Sequence, residues 1–340
     1  MLKLLIKRSK RDSPFKVRNK IELIFEENKS TIFVGLNASL KSITARSLGK
    51  WKPNLESIGI SYEVIYNDRT QYDPGEWLLD IIEDSRLILR AWLKSEETLS
   101  IINRYIEGWK STIEGQSDLR SMIEEFNKVS KQLENLLNEL GLSFVNNYLR
   151  LKKGLDTSKF SQIMNILETT KKEVLEKIKG FGEELTIENL LPLDVEVMGE
   201  PYYGMEWIVM RDLRNKMKIK RETISSSVAS ALLFKYVAAF LSNVEYEKKL
   251  IIIEEPEEAL APLQQVLFML FLDKTLSNSE ELDIGENYVV ITTHSPYIAL
   301  APRNKRTYYF SIVDRTLKIE ESIPRKPFIL GEYLLLKELE

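Results

Sequence analysis

Apolar positions along the chain change rhythm twice. Leu2–Ile6 and Ile21–Phe25 are short apolar runs that predict two strands, separated by the polar stretch Lys7–Lys20. An Asn28-Lys29-Ser30 turn leads into the β-branched run Thr31–Val34, a third strand. Ser42–Gly49 predicts a helix with Gly49 as its stop, and Ile58–Tyr66 alternates as a strand does. From Glu76 to about Gly180 strand signals vanish and helical spacing takes over. Leu119, Met122, Phe126, Val129, Leu133, Leu136 and Leu140 recur at steps of three and four, as in a heptad pattern. A second amphipathic run carries Phe160, Ile163, Leu167, Thr170, Val174 and Ile178, with Asp156-Thr157-Ser158 as its start and Gly180 and Gly182 as stops. A helix of ~22 residues is only ~33 Å long. The expectation is a compact lobe of antiparallel helices rather than a long arm.

After Leu190 the strand pattern returns. Val195–Met198, Glu206–Met210 and Lys216–Lys220 predict a small meander, and Ser225–Leu241 an apolar helix. Leu250–Ile253 and Tyr288–Thr292 are wholly apolar or β-branched, as strands buried on both faces are. Gln264–Leu276 is helical, Arg306–Ile312 and Leu317–Glu320 form a closing pair, and Gly331–Leu339 predicts a terminal helix. The order α/β, helical, α/β makes the middle an insertion into one domain. Residues 1–75 and 190–340 are expected to build the core and 76–189 the helical insertion.

Composition narrows the function classes. The chain has 340 residues, 44% hydrophobic and 29% charged, with a net charge of −3, so any attraction to nucleic acid must be local. It has no cysteine, which excludes disulfides, thiolate metal sites and cysteine nucleophiles. No apolar run approaches membrane-span length, and Met1-Leu-Lys-Leu-Leu-Ile-Lys-Arg8 turns basic too soon for a signal peptide, so a cytoplasmic protein is expected.

Four stretches carry candidate chemistry. Four residues separate Gly35 from Leu40, and Lys41 and Ser42 follow, all between a strand and a helix. That is the spacing of a phosphate-binding loop, G-x4-G-K-[ST], with leucine in place of the last glycine. Backbone N–H groups of Gly35, Asn37, Ala38, Ser39 and Leu40 would wrap the anion, Lys41 would neutralise it and the Ser42 hydroxyl would ligate Mg2+. Glu254 and Glu255 directly follow the buried run Leu250–Ile253, at a strand's carboxyl end where open α/β sheets bind ligands. One carboxylate suits a metal's water shell and the other a general base, since neighbours on extended chain face opposite ways. His294, the one histidine, follows another buried strand in Thr292-Thr293-His294-Ser295-Pro296, within reach of a γ-phosphate or attacking water. Ser225, Ser226 and Ser227 open the apolar helix, where hydroxyls and free N–H groups suit an anion or serve as a cap.

In this order the four stretches resemble an ABC-class ATPase head of the SMC/RecF-like kind, specifically the small AAA-type ATPases related to OLD-family proteins. Gly35–Ser42 is similar to Walker A, Ile224–Val228 to the signature motif, Leu250–Pro256 to Walker B followed by the family's Glu257–Pro262 run, and Ile291–Pro296 to the histidine switch. The resemblance covers about 1–70 and 190–312. It implies a P-loop NTPase fold with a mixed sheet, ATP and Mg2+ as cofactors, and an ATP-dependent homodimer. It further implies Lys41 on the phosphates, Ser42 and Glu254 around Mg2+ with Gln71 as the Q-loop residue, Glu255 as general base, His294 as γ-phosphate sensor, and Ser225 reaching the partner's nucleotide.

Three departures qualify the expected chemistry. Leu40 places a Cβ where a glycine normally bends freely, Glu254 is one methylene longer than the usual Asp, and Ser227 replaces the signature glycine. ATP binding is therefore expected more firmly than brisk hydrolysis. DNA is a candidate partner through Lys7, Arg8, Lys10 and Arg11, and through Arg211, Arg214, Lys216, Lys218, Lys220 and Arg221. The competing expectation is a regulatory module that binds nucleotide without hydrolysing it and presents its helical lobe to a partner protein.

Overall fold

The computed structural model describes residues 1–35, 40–67, 73–82, 151, 154–178, 195–202, 205–212, 217–220, 226–301 and 304–321. Its frame is a six-stranded sheet in the order β12-β11-β3-β10-β9-β5. The strands are β3 (Lys29–Gly35), β5 (Leu78–Ile82), β9 (Lys248–Glu254), β10 (Glu286–Thr293), β11 (Lys305–Val313) and β12 (Thr316–Glu320). All pairings are parallel except the edge hairpin β11–β12. This is the mixed, mostly parallel α/β sheet that the buried apolar runs imply.

Period-two alternation sends successive side chains into two separate cores. On one face Ile32, Val34, Ile251, Ile253, Val289 and Ile291 pack with helices α2 (Thr157–Ile178), α3 (Ser226–Leu241) and α4 (Pro262–Ser277), through Ile163, Leu167, Phe234, Val237, Phe268 and Phe271. On the other face Phe33, Leu250, Ile252, Tyr288 and Val290 pack with Leu2, Leu4, Leu23 and Phe25. Those last four belong to a three-stranded antiparallel sheet, β2-β1-β4, built from β1 (Leu2–Ser9), β2 (Ile21–Phe25) and β4 (Ile60–Tyr66). The short helix α1 (Lys41–Arg46) joins the same face through Ala45. Each fully buried Leu, Ile, Val or Phe contributes about 1.5–3 kcal/mol, so the central strands are held from both sides. A second antiparallel sheet, β6 (Val195–Tyr202), β7 (Met205–Asp212) and β8 (Met217–Lys220), is the meander expected after Leu190.

Two elements differ from expectation. Strand signals were expected to end at Glu76, yet β5 follows it and forms the sheet's edge, paired with β9. Its sequence Leu-Leu-Asp-Ile-Ile is broken by Asp80, whose buried carboxylate accepts from the Tyr236 hydroxyl. Helix α2 has the predicted start, with Asp156 Oδ1 accepting from the N–H groups of Ser158 and Lys159 at 2.8 and 3.0 Å. Its apolar stripe, however, packs onto α4 and the main core rather than into a lobe of its own. Two short helices were not anticipated: α5 (Ser279–Leu282), and α6 (Pro296–Leu300) with Ser295 as its cap. The Leu119–Leu140 run and the Gly331–Leu339 helix lie outside the described residues.

Candidate functional site

Parallel register brings three strand ends to one edge of the sheet. Phe33 pairs with Thr292, and Thr292 with Glu254, so β3, β10 and β9 finish side by side. The chain leaving each end carries one of the predicted groups, and these come together across more than two hundred residues of sequence. Lys41 Nζ lies 2.9 Å from the Gly35 carbonyl and 3.1 Å from His294 Nε2. His294 Nε2 lies 3.2 Å from Glu255 Oε1. One ring nitrogen cannot serve both neighbours in one tautomer. It accepts from the Lys41 ammonium when it carries no proton, and donates to Glu255 when it does.

Local backbone sets up this convergence. Leu40, directly before α1, has φ 68° and ψ 16°, a left-handed conformation that costs a non-glycine residue ~1–2 kcal/mol. Its side chain is buried in the α1-side core, which offsets that cost and explains how leucine occupies a glycine position. Glu255 is also left-handed, with φ 46° and ψ 53°. Its N–H still donates to the Thr292 carbonyl at 2.8 Å, so the turn happens immediately beyond the last strand bond. Glu254 thus stays on the α1 side while Glu255 swings to His294. Residues held in such sparsely populated backbone regions concentrate at functional sites.

Burial tunes the charges. Lys41 is 5% exposed, and desolvation lowers its pKa to about 8, against the upward pull of Glu255 and Glu257. Glu257 accepts from the His294 backbone N–H at 2.6 Å and from the Thr293 hydroxyl at 2.9 Å. Burial nonetheless raises its carboxyl above the usual range, the hydrogen bonds only partly compensating. Glu254 meets Arg46 at the end of α1: Arg46 Nε donates to Oε1 at 2.8 Å and Nη2 to Oε2 at 2.6 Å. Ser42 Oγ stands 3.5 Å from Thr292 Oγ1. With each Glu254 oxygen accepting from Arg46, the charge that would attract a metal's water shell is already compensated by a resident cation. Among the described residues no group of three or more Asp, Glu or His side chains is arranged to hold a metal ion.

Comparison with known proteins bears on this arrangement. A family model described as an AAA ATPase domain matches residues 81–299, more than half of the chain. The chain belongs to this AAA ATPase domain family. The matched span contains Glu254, Glu255 and His294 and begins after the Gly35–Ser42 loop. A search of the curated proteins finds no match. Solved structures similar to this AAA ATPase domain include the Smc head domain of Pyrococcus furiosus, with an extended coiled coil and bound to the C-terminal domain of ScpA, at 12% identity, 100% coverage of both chains and a TM-score of 0.43. They also include the Smc head domain of Thermotoga maritima, at 12% identity, 94% and 98% coverage and a TM-score of 0.40. A third, Stu0660 of Streptococcus thermophilus, shows 14% identity, 95% and 76% coverage and a TM-score of 0.41.

Lys41, Glu255 and His294 thus meet at one edge of the sheet, with Gly35, Leu40 and Ser42 beside them. Asn37, Ala38, Ser39, Gln71 and Ser225 lie outside the described residues. Ser226 and Ser227 fall in the first turn of α3, described by backbone alone. The same helix is tied to the Glu255 loop further along, where Ser230 Oγ donates to the Ala259 carbonyl at 2.6 Å. Two further residues of the candidate site carry little signal in the sequence. Arg46 carries no motif; its only signal is a cation on the helix that bears Lys41. Glu257 opens the Glu257–Pro262 run, and its position two residues past Glu255 is its hint.

Proposed function

We propose that this chain binds ATP against the Gly35–Ser42 loop and hydrolyses it slowly, Glu255 activating water and His294 contacting the γ-phosphate. The Lys41–His294–Glu255 chain of contacts at 3.1 and 3.2 Å is the observation that carries this. It aligns a phosphate-neutralising cation, a proton-bearing ring and a carboxylate that is 38% exposed and therefore open to water. Phosphate release by purified protein, abolished in Lys41→Ala, is the expected result.

Dimerisation belongs to the same proposal. Two copies would enclose ATP between one copy's Lys41 side and the other's Ser225–Ser227 segment, and ATP favours the closed pair because only that state completes the phosphate contacts. Glu255→Gln is expected to accumulate an ATP-dependent dimer by light scattering. A protein that stays monomeric with and without ATP would count against it. A core drawn mainly from 1–75 and 190–340 and completed by β5 and α2 from the stretch between them, the cytoplasmic setting, and action on DNA or a partner protein in genome maintenance or antiviral defence are part of this reading. No helix among the described residues is long and apolar enough to cross a membrane. Of the basic residues considered for DNA, Lys7 pairs with Glu63 at 2.6 Å, while Arg211 and Lys218 occupy paired positions on β7 and β8. A salt-sensitive gel shift with duplex DNA tests that partner.

A second reading draws on Leu40 and on the engaged Glu254: a module that holds nucleotide without turning it over. Binding of ATP with no phosphate release above that of Lys41→Ala would select it.

A further inference from the structure

Glu254 ends the strand in the position where the family resemblance expects a metal's water shell, and the structure gives it a different partner. Arg46 meets it fork to fork, two parallel N–H donors at 2.8 and 2.6 Å on the two carboxylate oxygens. Both side chains are sequestered, at 15% and 7% exposure. Bidentate guanidinium–carboxylate pairing is the strongest geometry available to these groups, and arginine keeps its charge at every accessible pH. A hydrated Mg2+ dehydrates reluctantly and is drawn to a carboxylate largely by its charge. The fork occupies one acceptor site on each Glu254 oxygen and already balances that charge.

The two unusual residues account for each other. Aspartate, one methylene shorter, is the residue expected here; the extra reach of Glu254 carries its carboxylate to the far end of α1. Arg46 is the last residue of that helix and Lys41 the first, so one six-residue element supplies both cations. The amino-terminal cation faces Gly35 and His294, and the carboxy-terminal cation faces Glu254.

Resting on the nucleotide site proposed above, we infer that Arg46 is the resident counter-charge of Glu254, and that nucleotide binding in this chain does not draw on a divalent cation held by Glu254. The pair takes the place of the metal shell at this carboxylate. Freeing the carboxylate would open a divalent-cation site and make nucleotide binding depend on it.

The experiment has two arms. In the first, binding of a fluorescent N-methylanthraniloyl-ATP is titrated in excess Mg2+ and in EDTA. The Mg2+-to-EDTA affinity ratio of the native chain is expected to be at least about threefold smaller than that of Arg46→Gln, since any contribution through Ser42 and the phosphates is common to both chains. Arg46→Lys keeps the charge but cannot make the fork, so it gives an intermediate ratio and covers the case in which Arg46→Gln folds poorly. The Arg46→Gln/Glu254→Gln double variant returns to the native ratio. In the second arm, Mn2+ is titrated without nucleotide and followed by electron paramagnetic resonance. Arg46→Gln is expected to bind Mn2+ more tightly than the native chain, and the double variant to lose that gain. A native chain that depends on Mg2+ as strongly as Arg46→Gln, or Mn2+ binding equal in native and Arg46→Gln chains, overturns the inference. If no chain binds the ATP analogue, the nucleotide reading fails, and the Mn2+ arm still decides the role of Arg46.

Discussion

Replacing Glu257 tests whether a half-buried carboxylate holds the His294 segment in place. It accepts two bonds, from the His294 N–H and from the Thr293 hydroxyl. Glu257→Ala removes both acceptors and leaves the His294 N–H and the Thr293 hydroxyl without this partner, each costing ~1–3 kcal/mol, so a loss of about 2–6 kcal/mol in unfolding free energy is expected. Glu257→Gln behaves differently. Its amide oxygen accepts from the His294 N–H, and its NH2 faces Thr293 Oγ1, which already accepts from the Ser295 N–H at 2.9 Å and has a second lone pair. Glutamine also carries no charge into a site where burial raises the carboxyl pKa, so its expected cost is within about 1 kcal/mol of the native chain. The pH dependence has a defined sign. A carboxyl whose folded pKa lies above its unfolded value binds its proton more tightly when folded, so its contribution to stability falls as pH rises from 4.5 upward. That loss is absent from Glu257→Gln. Urea unfolding at several pH values reads the energies. The single histidine allows its ring resonances to be followed without assignment: they move in the Ala variant and stay near native positions in the Gln variant. An Ala variant within about 0.5 kcal/mol of native, or a Gln variant as unstable as Ala, would refute the reasoning.

Two further predictions concern buried lysines. Lys249 is 1% exposed, its Nζ donates to the Leu241 and Ile284 carbonyls, and burial with help from nearby Lys159 lowers its pKa to about 7. The unfolded chain therefore binds this proton more tightly than the folded one, and stability should rise by about 2 kcal/mol between pH 7 and 9, a rise that Lys249→Met removes even though its baseline stability is lower. Lys41, with a pKa of about 8, must be protonated to neutralise phosphate, so affinity for an ATP analogue in EDTA should fall about eightfold from pH 7.5 to 9. Calorimetry in buffers of different ionisation enthalpy should detect proton uptake on binding above pH 8, and a flat profile would contradict the assignment.

Strand ends and their carboxylates were legible because both faces of β9 and β10 are buried, which forces unbroken runs such as Leu250–Ile253 and Tyr288–Thr292 that no surface strand carries. The spacing of Lys41, Glu255 and His294 from those runs placed them at one edge. β5 was missed because Asp80 interrupts it, and the partners that make an acid tolerable there include Tyr236, more than 150 residues away in the sequence. The separation of Glu254 from Glu255 was anticipated from simple alternation; in the structure it comes from the left-handed turn at Glu255, which no pattern of residue types announces. Arg46 was invisible for a related reason. A salt bridge between a helix end and a strand end depends on how α1 lies across the sheet, and one-dimensional spacing does not encode that angle.

The placement of β3 between β10 and β11 has a consequence for biosynthesis. Both hydrogen-bonding edges of this early strand wait for segments made roughly 250 residues later, which at ordinary elongation rates means about ten to fifty seconds on the ribosome. Throughout that interval a strongly apolar ribbon is left without its neighbours, and Lys41 just beyond it is without His294. Nascent chains halted before Thr293 should therefore bind holdase chaperones and lack any nucleotide-dependent behaviour.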